Sequence, residues 1–505
     1  MNSDGAESRI PVLIAKGEVN DRPQADAEGM DSIGLMQAAL AEAERDADVR
    51  LMDKLDWLGV EDQISFPDPA LLDRLAASLP KAPRFRVKTP YPMGDGPVML
   101  INEAANLIGR GEIRLAVAVG GEALKTAVKR AKAETKTGTA DQSGKRDALR
   151  DLAAAGKPTL ASRYGLVTPA DVYPLYENAT RAAWGLSLSQ AQAESALIWS
   201  EFSKVAASNP FAWLREAVSP QMIARPGPDN RMISFPYTKL MVANSSVNQG
   251  AAVVIASLAM ACSLGIPESR LVYIGRGAKA TEPKDFLKRD SYAHVTSLET
   301  TISAALETND LEVKDIDFAE LYSCFPCIPK LARRVLKWPA ERPASVYGGL
   351  TFGGGPIGNC MMHGIAQMME KLRAEGGNGL VVGNGGYATS SHSIVLSRTP
   401  TREGLFPQDY DFQAAADARR CAVPELLESY EGSGHIETYA VPFARHGVPK
   451  DAIIVGRTPQ GARFLASVPA DDHVLMDFLM SGYDEPVGSA GVAILGDDGR
   501  SVWMR

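Results

Sequence analysis

The run Pro11-Val12-Leu13-Ile14-Ala15 is unbroken apolar sequence closed by a Gly/Asp/Pro turn, and it predicts a buried strand. From Ser32 to Asp46 the apolar positions recur at helical spacing, and Leu55 to Val60 predicts another strand. Strands and helices alternate from there on, the pattern of an α/β protein whose helices cover a sheet. The stretch Gly250 to Ala261 is too short to span a bilayer and reads as a buried helix.

Two distant segments share one order of features. The first runs Gly96-Pro97, a helix to about Arg110, the strand Leu115 to Val119, then Gly120-Gly121. The second runs Gly355-Pro356, a helix to about Leu372, the strand Gly379 to Val382, then Gly385-Gly386. Proline suits a first helical turn, where its missing N–H is not needed, and paired glycines permit close backbone approach. This pattern predicts an internal duplication.

After Pro400 the texture changes. Pro400 and Pro407 mark a linker, Ala414 to Glu428 reads as a helix, and β-like runs follow at Glu437–Phe443, Ala452–Arg457, Arg463–Leu465 and Gly491–Leu495. Gly456 to Gly461 reads as a hairpin turn. The residues from 410 to 505 are therefore expected to form a small β-rich unit.

Charge and cysteine content narrow the class. Fifty-three basic against 61 acidic residues leave a net charge of −8, which argues against a nucleic-acid binder. Five cysteines imply no disulfide framework, and the start of the chain lacks a signal-peptide pattern, so a cytoplasmic setting without a membrane span is expected. A basic island from Lys125 to Lys157, with Lys125, Lys129 and Arg130 at its head, is either a solvated helix face or a dock for a phosphorylated ligand.

Six segments together resemble one family. They are IPVLIAKGEV, GEIRLAVAVGGE, PYTKLMVANSSVNQGAAVVIAS, AELYSCF, GGLTFGGGPIGN and VVGNGGYATSSH, spread in order over residues 10–398. In that order they resemble the thiolase superfamily, above all its sterol-carrier-protein-type, non-classical members. The resemblance implies a duplicated βαβαβαββ core in five layers, α-β-α-β-α, with a small OB-like domain added at the C-terminus. It also implies an N-terminal half over 1–275 with an inserted loop domain near 125–235, a C-terminal half over 276–400, and the added domain over 410–505.

The family's catalytic groups do not carry over. The position of the nucleophilic cysteine falls on Gly94, that of the activating histidine on Gly355, and the second cysteine's Cys-x-Gly motif reads Gly383-Asn384-Gly385. The family's Asn-Glu-Ala-Phe or His-Asp-Cys-Phe motif reads Tyr322-Ser323-Cys324-Phe325, which resembles thiolase-like aldolases that pair with a separate OB-fold partner. Tyr322, Cys360, His363 and His392 are the catalytic candidates. Cys360 lies in the first turns of the second repeat's helix, four residues after Pro356, with His363 on the same face, while His392 and Tyr387 follow the glycine loop. Asp95 reads as a helix cap, and Cys324 with Cys327 as two buried thiols rather than a redox pair. Substrate contacts are expected from Gly94, Gly355, Asn384, Gly385, Tyr387, Lys125, Lys129 and Arg130.

Three functions follow from the resemblance. The first is an acyltransferase of lipid metabolism acting on acyl-CoA. The second is a retro-aldol lyase acting on a β-hydroxyacyl-CoA, with Tyr322 as the base and backbone amides near Gly94 and Gly355 as oxyanion donors. The third is a non-catalytic module that binds CoA or a lipid thioester. Coenzyme A is the expected ligand or substrate, with no covalently bound cofactor and no metal, and the protein is expected as a homodimer or a monomer.

Overall fold

The computed structural model describes residues 6–25, 28–136, 159–339, 342–400 and 404–505. In chain order its strands are β1 (Pro11–Asn20), β2 (Trp57–Val60), β3 (Phe85–Lys88), β4 (Leu115–Glu122), β5 (Met232–Phe235), β6 (Tyr237–Thr238), β7 (Gln249–Ser257) and β8 (Val272–Thr281). They continue with β9 (Phe318–Leu321), β10 (Asn378–Gly385), β11 (Ser390–Ser397), β12 (Gly432–Pro442), β13 (Ala452–Arg457), β14 (Arg463–Val468), β15 (Ala490–Leu495) and β16 (Ser501–Met504). The helices that frame the site are α1 (Ser32–Ala47), α2 (Gly96–Arg110), α3 (Leu124–Lys136), α4 (Pro169–Ala183), α5 (Thr296–Glu307), α6 (Cys327–Leu336), α7 (Cys360–Glu375) and α8 (His473–Met480).

The central sheet has the order β3-β2-β4-β7-β1-β8-β11-β10-β9. Its two halves join where β1 meets β8, across the pairs Val12↔Tyr273 and Leu13↔Val272. Helices α2 and α7 pack on each other and on strands of both halves, so they form the middle layer. On the outside, α1 covers β1, β4 and β7, while α5 covers β8 and β11. Five layers, α-β-α-β-α, result. Strands sandwiched between helical layers are apolar on both faces, and that explains the sequence of β7.

The expected helix at Gly250 to Ala261 is therefore a correction. Residues 249–257 are a central strand paired with both β1 and β4, and only Leu258–Ser263 are helical. Helix α1 starts where the Asp31 side chain accepts the Gly34 N–H at 2.8 Å, and it buries Leu35, Met36, Ala39, Leu40 and Ala43. Helix α2 carries Pro97 in its first turn and stops at Gly111, which is left-handed at φ 75°. Helix α7 begins at Cys360, later than its Gly355-Pro356 signal, because Gly358 is left-handed at φ 80°.

The tail is a closed β-barrel in the order β12-β13-β14-β16-β15-β12, with β14 and β16 parallel. Helix α8 connects β14 to β15, and Ile436, Tyr439, Phe464, Met476 and Trp503 fill the interior. The barrel is stitched to the rest of the chain. Strand β12 pairs with β5, and the buried Arg463 guanidinium donates to the carbonyls of Leu287 and Arg289 at 2.5 and 2.6 Å. The helix expected over Ala414 to Glu428 is shorter, Gln413–Arg419. Arg420 turns extended to reach Glu282 at 3.0 Å, and Pro424 keeps Val423 out of helical backbone.

Candidate functional site

The repeat brings four pieces together around the starts of the two middle helices. They are the turn Pro92–Pro97 entering α2, the turn entering α7, the Tyr322–Cys324 segment after β9, and the glycine loop Gly383–Gly386 ending β10. This is the carboxyl end of the parallel strands, where α/β sheets place their sites.

Gly94 is glycine because its side-chain space is taken. A Cβ there would lie 2.2 Å from the Asn384 carbonyl oxygen and 2.6 Å from the Tyr322 hydroxyl. A Cβ on Gly383 would meet the Asp95 backbone at 2.9 Å, and one on Gly385 would meet the Asp95 carboxyl at 2.3 Å. Gly355 is less crowded, with its nearest neighbour the Leu350 carbonyl at 3.3 Å, and its own N–H donates to Asn244 O at 2.9 Å. Two of the three emptied positions are thus filled by Tyr322 and Asp95.

Tyr322 is anchored by its N–H to Val382 O at 3.0 Å, and its phenol lies close to the Cys360 thiol. Burial is the main cause that pushes both groups well above their ordinary pKa values. The Cys324 thiol is pushed up to about 12 by burial, and Cys327 rises for the same reason. Cys327 lies 3.8 Å from the Tyr173 carbonyl, and all three cysteines are unbridged. A raised thiol pKa disfavours the thiolate, which is the nucleophilic form.

The remaining candidates scatter. His363 is fully buried, but its Nδ1 lies 2.9 Å from Glu18 and its ring stacks on Tyr347, so its recorded partners lie on β1 and the Tyr347 turn. His392 is no loop residue: it is buried within β11, its Nε2 2.6 Å from the Asn102 amide, and burial with nearby Lys279 lowers its pKa to about 3. The imidazole is therefore neutral. Tyr387 donates to Val167 O at 2.8 Å and packs edge-on against Phe286. Asn384 donates to the Tyr173 hydroxyl at 3.0 Å, while its Oδ1 is buried without a partner. On α3, Lys125 lies over the Trp213 ring, Arg130 donates to Gly29 O at 2.7 Å, and Lys129 is exposed. Lys145 and Arg146, in the same basic island, lie outside the described residues.

Three site residues escape the sequence reading. Asp95 does not cap α2 with its side chain; it accepts from Ser390 Oγ at 2.5 Å, and its Oδ1 is buried and unpartnered. Glu61, directly after β2, accepts the Met93 N–H at 2.6 Å and wedges against the starts of both middle helices. Burial raises both carboxyls, Glu61 far above the usual range. Asn359, beside Glu61 at the start of α7, has both side-chain polar atoms buried and unpartnered. Their positions just after a strand and just before helices were the available signal. Among the described residues, no group of three or more His, Cys, Asp or Glu is placed to hold a metal.

Comparison with known proteins agrees with this architecture. Residues 411–498 match the family model for the thiolase-like protein type 1 additional C-terminal domain. No curated protein sequence matches the chain. Among solved structures, a monomeric SCP2-thiolase-like protein type 1 from Mycobacterium smegmatis is 28% identical at a TM-score of 0.82, over 98% of this chain and 99% of that one. The Ltp2-ChsH2(DUF35) aldolase is 18% identical at TM-score 0.58, over 78% of this chain and 98% of its own. Human mitochondrial 3-ketoacyl-CoA thiolase is 14% identical at 0.57, over 78% of this chain and 99% of its own. The core has the thiolase fold. The whole chain is similar to a thiolase-like protein type 1, and its tail matches that family's additional C-terminal domain. No described helix is long and apolar enough to cross a membrane.

Proposed function

We propose that this protein binds acyl-CoA thioesters at the thiolase-fold site and acts on them without a covalent acyl-enzyme. The observation that carries the reading is the Tyr322 hydroxyl standing in the side-chain space of Gly94. Covalent acyl transfer needs a thiolate beside the thioester carbon, whereas here the nearby Cys360 thiol is held neutral by burial. The phosphates of coenzyme A, as ligand or substrate, would dock near Lys125, Lys129 and Arg130 on α3.

What the site does hold is proton chemistry. In a retro-aldol step a base takes the β-hydroxyl proton, the Cα–Cβ bond breaks, and its electrons pass to a thioester enolate that is then protonated. Asp95, adjoining the Gly94 slot with an unpartnered oxygen, is the base this geometry favours, and the Tyr322 phenol is the neutral donor. The fold likeness to an aldolase supports this as the leading chemistry. The barrel's strand order, with a helix between its third and fourth strands, supports an OB-type domain built into the same chain.

The test is incubation with β-hydroxyacyl-CoA in the absence of free CoA, with products separated by chromatography and binding measured at equilibrium. Release of acetyl- or propionyl-CoA together with a carbonyl product supports the lyase. Binding without turnover leaves the thioester binder, and no binding of any acyl-CoA overturns the proposal.

A further inference from the structure

A cavity of about 360 Å³ opens between α4 and the barrel, away from the glycine-lined site. Its apolar wall is Leu186, Leu188, Leu479 and Pro486, and its polar end is Arg181 with Glu485. A second cavity of about 360 Å³ adjoins it and shares Ala182 and Glu485. Volumes of this order hold small organic ligands.

The ion pair at the polar end is lopsided. The Arg181 side chain is 5% exposed, and its fork clasps the Glu485 carboxylate in two bonds of 2.5 and 2.6 Å. Glu485 is 43% exposed and sits in a loop that follows left-handed Gly482. Its Oε1 also takes the Val487 N–H at 3.0 Å. Arg181 donates once more, to Leu186 O at 3.2 Å, and its buried Nε has no partner. Asp484 also lines the cavity but faces Arg505 at 4.0 Å. A fixed, desolvated guanidinium fork bound to a solvent-facing loop carboxylate has the geometry of a carboxylate receptor.

We propose that this cavity binds a free carboxylate with an apolar tail, and that Glu485 holds the ligand's place on Arg181. The ligand's carboxylate takes over both Arg181 bonds, Glu485 moves into water, and the tail lies along the leucine wall. This site is independent of the thioester chemistry proposed above.

The test is calorimetric titration of the full chain with sodium octanoate, using octanol as the uncharged control. Glu485→Gln, a change at an exposed loop position, is expected to bind octanoate about tenfold more tightly than the native chain. Arg181→Gln in the Glu485→Gln background is expected to abolish binding, and Ala182→Phe to block it with the melting temperature retained. Failure of Glu485→Gln to bind octanoate overturns the proposal, as does equal binding after Arg181→Gln or equal binding of octanol.

Discussion

The phenolic oxygen of Tyr322 stands 2.6 Å from where a Cβ on Gly94 would be, so a nucleophile at that position and this tyrosine exclude each other. Gly94→Cys is therefore expected to restore no thiolase activity. Overpacking of this kind costs about 1–3 kcal/mol. In a Tyr322→Ala background only part of that penalty is expected to vanish, because the Asn384 carbonyl oxygen still stands 2.2 Å from the same Cβ, and a double-mutant cycle by urea unfolding measures the coupling.

Asp95 fills the emptied Gly383 position from the other side with its backbone, and its carboxyl abuts the neighbouring Gly385. Asp95→Asn keeps an acceptor for Ser390, so stability is expected to change by no more than about 1 kcal/mol. Turnover of a β-hydroxyacyl-CoA is expected to fall by about 100-fold or more, because the asparagine cannot take the proton. Product chromatography and denaturant unfolding on the same preparation separate the two effects.

Buried carboxyls make stability depend on pH in an unusual direction. Burial raises Glu122 and Glu320 to about 7. The folded chain keeps these protons while the unfolded chain has released them, so stability falls as pH rises from about 4.5 to about 7 and levels off above. Each group contributes at most about 3 kcal/mol to that loss. Glu320 Oε2 accepts from Ser345, Val346 and Tyr347 while Oε1 has no partner. Glu320→Gln is accordingly expected to be near neutral at pH 5 and relatively stabilising at pH 8, as read by unfolding at both values.

Lys330 on α6 is fully buried, bonded to Glu177 on α4 and, at 3.1 Å, to Ser195 Oγ. Removing one member of such a pair strands the other charge and costs about 3–5 kcal/mol. Lys330→Met is expected to show that loss in urea unfolding. The pair Lys330→Met with Glu177→Gln is expected to lose much less.

The sequence made much of this fold readable because each local signal agreed with its tertiary setting. The repeated Gly-Pro and double-glycine order marks α2, α7 and the strands after them, and Ala452–Arg457 is a strand with the expected ends. The β7 run failed because burial on both faces removes the alternation that distinguishes strand from helix. The tail helix failed because Pro424 and the pull of Glu282 on Arg420 outweigh helical spacing. His392 looked like a loop residue, yet the β10–β11 hairpin continues through it, pairing it with Gly383. Glu61 and Asp95 belong to no linear motif. Their proximity comes from β2 and α2 meeting under the start of α7, which only the folded chain reveals.

The central claim, thioester binding without an acyl-enzyme, is tested most directly by the intact mass of the full chain after brief incubation with a panel of acyl-CoA thioesters. The expected result is an unchanged mass for the native protein and for Cys360→Ala, with the bound thioester released on denaturation. An acyl-sized mass gain that disappears in Cys360→Ala would contradict it and make Cys360 a nucleophile.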